Sequence, residues 1–132
     1  KVLILSIKAW KQYIENFNTI PEEIVKASKK KGSKLLVADS SGLELSGNKF
    51  LMLSILFKGL FSKTIKKQNV GILLPASAMG AVTNNSIFML GKTAVNINYT
   101  ADLKSTEKGL ESAGVEDIIT SSKFIDKLKS KG

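Results

Sequence analysis

The sequence predicts an α/β fold: three layers, with a mostly parallel sheet, helices on both faces, and a short N-terminal β-hairpin. Three observations predict it. Residues 69–100 read strand, proline stop, glycine-closed helix, strand, which is a β-α-β unit. Residues 100–130 repeat the helix–strand–helix alternation. Val70 to Leu74 is a continuous apolar run, the pattern of a strand covered on both faces. Right-handed crossovers between parallel strands then place helices on both sides of the sheet.

Taken in order, residues 1–19 carry Leu3, Ile4, Ile7, Trp10, Ile14 and Phe17 at helical spacing, which predicts a helix. Pro21 followed by Glu22 and Glu23 suits a second helix start, and Lys29, Lys30, Lys31 and Gly32 suit its end. The polar, lysine-rich stretch 16–33 that contains this short helix is also the expected linker. Leu35 to Ala38 reads as a strand, Asp39 to Gly42 as a turn, and Leu43 to Leu45 as the returning strand. Ser46 caps a helix over about 47–64 whose Leu53, Leu56, Phe57, Leu60 and Phe61 are expected inward. Ser54, Lys58 and Ser62, four apart, form its expected wet stripe. Pro75 stops the strand 70–74, and Ser77 caps a helix burying Met79, Val82, Ile87 and Leu90, closed by Gly91. Ala94, Val95 and Ile97 form the next strand. Thr100 is the expected cap of a helix with Asp102 in its first turn, Leu103 and Leu110 inward, and Gly114 at its end. Ile118 and Ile119 form a third strand, and Ser121 or Ser122 caps a last helix carrying Phe124 and Leu128.

Composition narrows the chemistry. A chain of 132 residues, 43% hydrophobic, is one domain with a real core. Its start at Lys1 suggests a piece of a longer protein or a processed chain. It has no cysteine and no histidine, so disulfides, thiolate metal sites and imidazole bases are excluded. Serine–carboxylate, lysine and paired-carboxylate schemes remain open. The net charge of +9 comes from 20 lysines against 11 acidic residues, with no arginine. Bidentate reading of bases or phosphates normally uses arginine. The lysine excess therefore reads as solubility, with an anionic membrane surface as the electrostatic alternative. No signal peptide is evident. The longest apolar stretch, 50–61, is interrupted by Lys58 and falls short of the roughly 20 residues of a membrane span. A cytoplasmic context is expected.

Chemical motifs are few. Residues 42–49 look like a phosphate loop, but Asn48 separates Gly47 from Lys49 and Phe50 follows where serine or threonine belongs. Residues 75–80 lack the glycines of a dinucleotide fingerprint, leaving Ser77 as a helix cap. Glu22–Glu23 and Glu116–Asp117 are sequence neighbours, which do not face each other on a helix or a strand, so neither is an acid–base pair. Ser40–Ser41 and Ser121–Ser122 have no base beside them and read as turns and caps. Phe50, Phe57 and Phe61 read as core rather than as a lipid groove. Asn84, Asn85, Asn96, Asn98 and Tyr99 are polar groups near the expected helix and strand, and Asn98, Tyr99 and Thr100 lie past the strand's carboxyl end, where open α/β sheets bind ligands; they read first as helix caps, with a ligand or structural network as the alternative.

Residues 71–75 (GILLP), the alanine-rich helix closing at Leu90, Gly91 and Lys92, and residues 94–101 (AVNINYTA) together resemble the adenylate-forming, AMP-binding family of acyl-CoA and acyl-acyl-carrier-protein synthetases. The NYT ending looks most like the branch in which a fatty acyl-acyl-carrier-protein synthetase is fused behind a glycerophospholipid acyltransferase. Residues 35–39 with 43–46 resemble the family's opening hairpin, and 115–124 its next strand and helix, so the likeness spans about 22–128. Ala76 departs from the family's common asparagine.

The resemblance implies residues 1–20 as a helical connector from an upstream region and 21–132 as part of a synthetase N-terminal subdomain. It implies a parent protein that uses ATP and Mg²⁺ to activate a fatty acid and hands it to acyl carrier protein or coenzyme A. That protein would be cytoplasmic, peripheral at or tethered to the inner membrane, with contact to anionic lipid. The family's phosphate loop and its later acidic, arginine and lysine residues are absent here. No catalytic, cofactor-binding or metal-ligating residue is assigned. The segment's partner is the remainder of the parent chain, its own role is scaffolding, and no bound cofactor is expected for it alone.

Overall fold

Five apolar or small residues without a charge leave the central strand no solvent face, and the fold is built around that strand. The computed structural model describes residues 2–14 and 18–130. Its elements run α1 (Val2–Ile14), α2 (Ile20–Lys31), β1 (Leu35–Ala38), β2 (Glu44–Ser46), α3 (Gly47–Thr64), β3 (Asn69–Leu73), α4 (Ala78–Phe88), β4 (Thr93–Asn96), α5 (Leu103–Ser112), β5 (Asp117–Thr120) and α6 (Ser122–Lys129). The expected first helix is present over Val2–Ile14, and residues 15–17 of the expectation lie outside the described residues.

Strands β4, β3 and β5 form a parallel sheet in that order, and β1 and β2 form a separate antiparallel hairpin. Because β4 and β5 flank β3 on opposite sides, right-handed crossovers put α4 and α5 on opposite faces. Side chains of β3 alternate accordingly. Val70 and Ile72 enter a core with Phe61, Ile65 and Ile87. Gly71 points the other way, and a Cβ there would sit 3.0 Å from Ile118 Cγ1 and Val115 Cγ1 and 3.1 Å from Ile97 Cδ1. The missing side chain lets those three close over the strand. A second core of Leu45, Phe50, Ala78 and Val82 joins the hairpin to α3 and α4, with Ile24 of α2 packed against it.

Three expectations are corrected. Of the stretch 16–33 expected as linker, residues 16 and 17 lie outside the described residues, and α2 occupies Ile20–Lys31 and packs on α3, with Ser28 fully buried. Helix α3 turns differently from the expected wet stripe. Ser54 is fully buried at the crossing with α4, where Ser86 Oγ donates to Ser54 O at 3.0 Å, whereas Leu56 and Leu60 face out. Small side chains let two helix backbones approach, so Ser54 against Ser86 makes a tighter seam than leucine would. Finally, Asp102, not Thr100, caps α5 by accepting from Ser105 N at 2.9 Å, and Leu103 is 81% exposed. Thr100 is held by Asn98 instead, whose Oδ1 accepts from its amide and hydroxyl.

Ser28 gives a stability prediction. Its Oγ is buried without a hydrogen-bond partner among the described residues, which costs free energy that an alanine would not incur. Ser28→Ala is expected to raise stability by about 1 kcal/mol, since alanine also favours the helix. A lower urea midpoint for this variant would show that the hydroxyl is satisfied.

Candidate functional site

Parallel α/β sheets bind ligands beyond their strand carboxyl ends, where the outgoing connections of adjacent strands diverge to opposite faces. Here the connections of β3 and β4 do so. The loop after β3 is Leu74, Pro75 and Ala76, and Ser77 then caps α4, its Oγ accepting from Gly80 N at 3.1 Å. A second acceptor arrives from far along the chain: Asp39 Oδ2 takes the amide of Ala78 at 2.8 Å. Two amides at the start of α4, those of Ala78 and Gly80, are therefore held by the protein's own oxygens.

Asp39 is the densest polar node of this mouth. Its Oδ1 accepts from Ser41 Oγ at 2.6 Å, Ser41 N at 2.9 Å and Leu43 N at 3.4 Å, fixing the hairpin turn, while Oδ2 clips that turn to α4. Ser41's hydroxyl, then the Ala78 amide, pull its carboxyl down from 3.8 to about 2. Sequence reading took Asp39 as a turn residue only. The turn was legible, but the second bond, 39 residues away, leaves no local pattern.

The sign of its pH effect follows. A carboxyl depressed in the folded state contributes fully above its unfolded value and loses that contribution as pH falls through its folded value. Asp39 should therefore stabilise the chain above about pH 4 and cease to do so between about 4 and 2. Asp39→Asn is expected to flatten the acid-unfolding curve in that window. A variant curve parallel to the wild-type one there would remove Asp39 from the account.

Beside the mouth, Asn84 on α4 and Asn96 at the end of β4 exchange reciprocal hydrogen bonds of 3.0 and 2.9 Å, and Asn84 also donates to Gly80 O at 3.0 Å. Both line a cavity of 410 Å³ with Ile72, Leu74, Pro75 and Ala76. The pair ties helix to strand, which is the network alternative and not the helix capping expected first. Asn98 closes a turn around Thr100, and Tyr99 meets the buried Phe124 edge-on at a centroid distance of 5.0 Å. Asn85 is not in this group. It is buried, its Nδ2 reaches Met89 Sδ at 3.8 Å, and its Oδ1 has no partner among the described residues. Exposed Ala76 makes no side-chain hydrogen bond by its nature, so the cavity's polar side chains are Ser77, Asn84 and Asn96.

Across β5, Ser121 caps α6 by accepting from Phe124 N at 3.2 Å. Ser40, Ser41, Ser77, Ser121, Lys123 and Lys127 line a second cavity of 350 Å³ between the hairpin turn and α6. The acidic neighbours in sequence are structural. Glu22 accepts from the amide and hydroxyl of Thr19 at the start of α2. Asp117 Oδ2 accepts the amides of Lys66 and Lys67, both at 3.1 Å, and Glu116 pairs with Lys67 at 2.6 Å, pinning the α3–β3 turn to β5. Glycine-bearing 42–49 is strand β2 and the start of α3, not a loop.

These residues do not fit a magnesium–nucleotide site. The described residues hold no cluster of three potential metal ligands. The one carboxylate at the mouth, Asp39, already spends both oxygens on the protein and would repel a polyphosphate. Among the described residues, no helix is long and apolar enough to cross a membrane.

No family model matches the chain. Solved structures do. The N-terminal subdomain of NpsA from Klebsiella oxytoca superposes with a TM-score of 0.72 at 14% identity, over 80% of this chain and 28% of that one. The amide bond synthetase McbA from Marinactinospora thermotolerans gives 0.66 at 10% identity, over 84% of this chain and 22% of that one. The Vibrio cholerae adenylation domain AlmE, in complex with glycyl-adenosine-5'-phosphate, gives 0.64 at 13% identity, over 86% and 22%. The chain shares its fold with part of each of these proteins and spans about a quarter of their length.

Proposed function

We propose that this chain is the opening part of the N-terminal subdomain of an adenylate-forming synthetase. One observation carries the reading: four-fifths or more of the chain follows the fold of such proteins, one of them bound to an acyl-adenylate. In the proposed parent, a carboxylate oxygen attacks the α-phosphorus of ATP and pyrophosphate leaves. A carrier thiol then attacks the acyl carbon and AMP leaves. The resemblance at 94–101 favours a fatty acid as substrate, acyl carrier protein or coenzyme A as acceptor, and an acyltransferase fused upstream.

The segment's own part is positional. Its sheet and α4 set one wall, and the Asn84–Asn96 and Asp39 bonds hold that wall still. ATP and Mg²⁺ contacts belong to the remainder of the parent, since the groups here are already engaged. The cytoplasmic, membrane-peripheral placement is part of the same proposal and rests on the resemblance alone.

ATP–pyrophosphate exchange tests it. The longer polypeptide containing this segment should exchange in the presence of fatty acids, and the 132-residue chain should not. Exchange driven by amino or aryl acids instead would keep the synthetase and discard the fatty acid. A free-standing, flavodoxin-like small-anion or nucleotide-binding module is the alternative; Lys123 and Lys127 lining the 350 Å³ cavity favour it, and Asp39 in the same lining opposes it. Calorimetric titration of the chain with ATP, FMN and acetyl phosphate separates the two. Clear micromolar binding would support the module.

A further inference from the structure

Met52, Ile55, Leu56, Gly59 and Leu60 of α3 fall at i, i+3, i+4, i+7 and i+8, which is the stripe a helix normally turns toward a core. Here the stripe faces outward. Its four large side chains are 61, 53, 65 and 53% exposed in that order. The opposite face already packs through Gly47, Phe50, Ser54 and Phe61. The helix is therefore apolar on two sides and covered on one, the arrangement of an element sandwiched between two layers.

Gly59 adds an independent observation. It lies within the stripe and in the helix interior, where glycine costs stability relative to alanine. A Cβ there would meet nothing within 4 Å, so no contact within the described residues needs the notch. A notch in an apolar stripe suits a closely packed protein surface, whose backbone or side chain can enter it. Lipid chains conform to a helix without one. A second copy is disfavoured by charge, since each carries +9.

We propose that this outward stripe of α3 is the seam on which the rest of the adenylation domain docks. The occupant is the polypeptide that makes up the other three-quarters of the matched proteins, in the same chain or in a companion subunit. The inference rests on the proposed function and deepens it by naming the contact.

The test has two arms. Benzoylphenylalanine is placed at Leu56 in the source organism's own protein, with Lys108 on α5 as control position, and the adducts are mapped by peptide mass. Adducts from position 56 but not 108 to adenylation-domain peptides outside this segment are the expected result. Adenylation peptides present in the purified protein, but joined to nothing, to lipid or to a second copy of this segment at position 56, would overturn the seam and leave the proposed function standing. A purified protein with no adenylation sequence would overturn both. In the second arm, Gly59→Ala in the 132-residue chain is expected to shift the folding equilibrium about fivefold toward the folded state. A shift the other way would mean the notch is used inside the subdomain, and would overturn the seam.

Discussion

Gly47→Ala is expected to cost about 3 kcal/mol, enough to unfold a marginal domain, and to show as a collapse of the urea midpoint. Gly47 opens α3 where that helix meets α2 side-on. A Cβ built there falls 2.1 Å from the carbonyl oxygen of Ser28, 3.0 Å from its carbonyl carbon and 2.9 Å from Lys31 Cβ. The first two are backbone atoms of Ser28, in the last turn of α2, so no rotamer change relieves the overlap. Relief requires α2 to move off α3. That movement would strain two hydrogen bonds that close the joint, Gly47 N to Lys34 O at 3.1 Å and Asn48 N to Gly32 O at 2.8 Å. It would also unseat Ile24 from the second core. Gly59→Ala lies on the same helix and has the opposite expected sign, because nothing stands near its missing Cβ. The pair separates close approach from helix propensity, which alone would make both changes stabilising. A wild-type midpoint for Gly47→Ala would show that α2 does not sit against α3 as described.

The elements whose signals are local could be read from the sequence. Ser46, Ser77 and Ser121 each cap the helix they precede, the charge-free run at 70–73 is the central strand, and glycines 91 and 114 adopt positive φ where helices end. The hairpin and its Asp39 turn were legible for the same reason. What escaped is decided by contacts between elements distant in sequence. The α2 segment looks like linker by composition, yet it packs on α3, which the missing Cβ of Gly47 lets come close to Ser28. The cap of α5 is a local exception: Thr100 and Asp102 are both good caps, but Thr100 is held by Asn98 two residues before it and Asp102 caps the helix. The candidate site was legible in part. The asparagines near the end of β4 stood out, but the pairing of Asn84 with Asn96, and the reach of Asp39 to Ala78, depend on a topology that no window of sequence contains.

Phe50→Ala and Leu56→Ala, six residues apart on one helix, are expected to differ by several kcal/mol. The first should cost about 3–5 kcal/mol, the usual loss for an aromatic removed from a core. Phe50 is 4% exposed and packs with Leu45, Ala78 and Val82, so truncating it opens a void where hairpin, α3 and α4 meet. That junction holds the Asp39 clip in place, and its loss should also weaken the acid-region stability assigned to Asp39. The second should change stability by no more than about 0.5 kcal/mol, because Leu56 is 65% exposed and buries little area against its own chain. Hydropathy and helical spacing rank the two residues alike, so the comparison isolates the rotation of α3 about its axis. Urea denaturation with a common slope measures both. Equal losses would put Leu56 back in the core and return Ser54 to solvent. A large gap fixes the outward stripe as surface spare to this chain's own folding, which is what a docking seam must be.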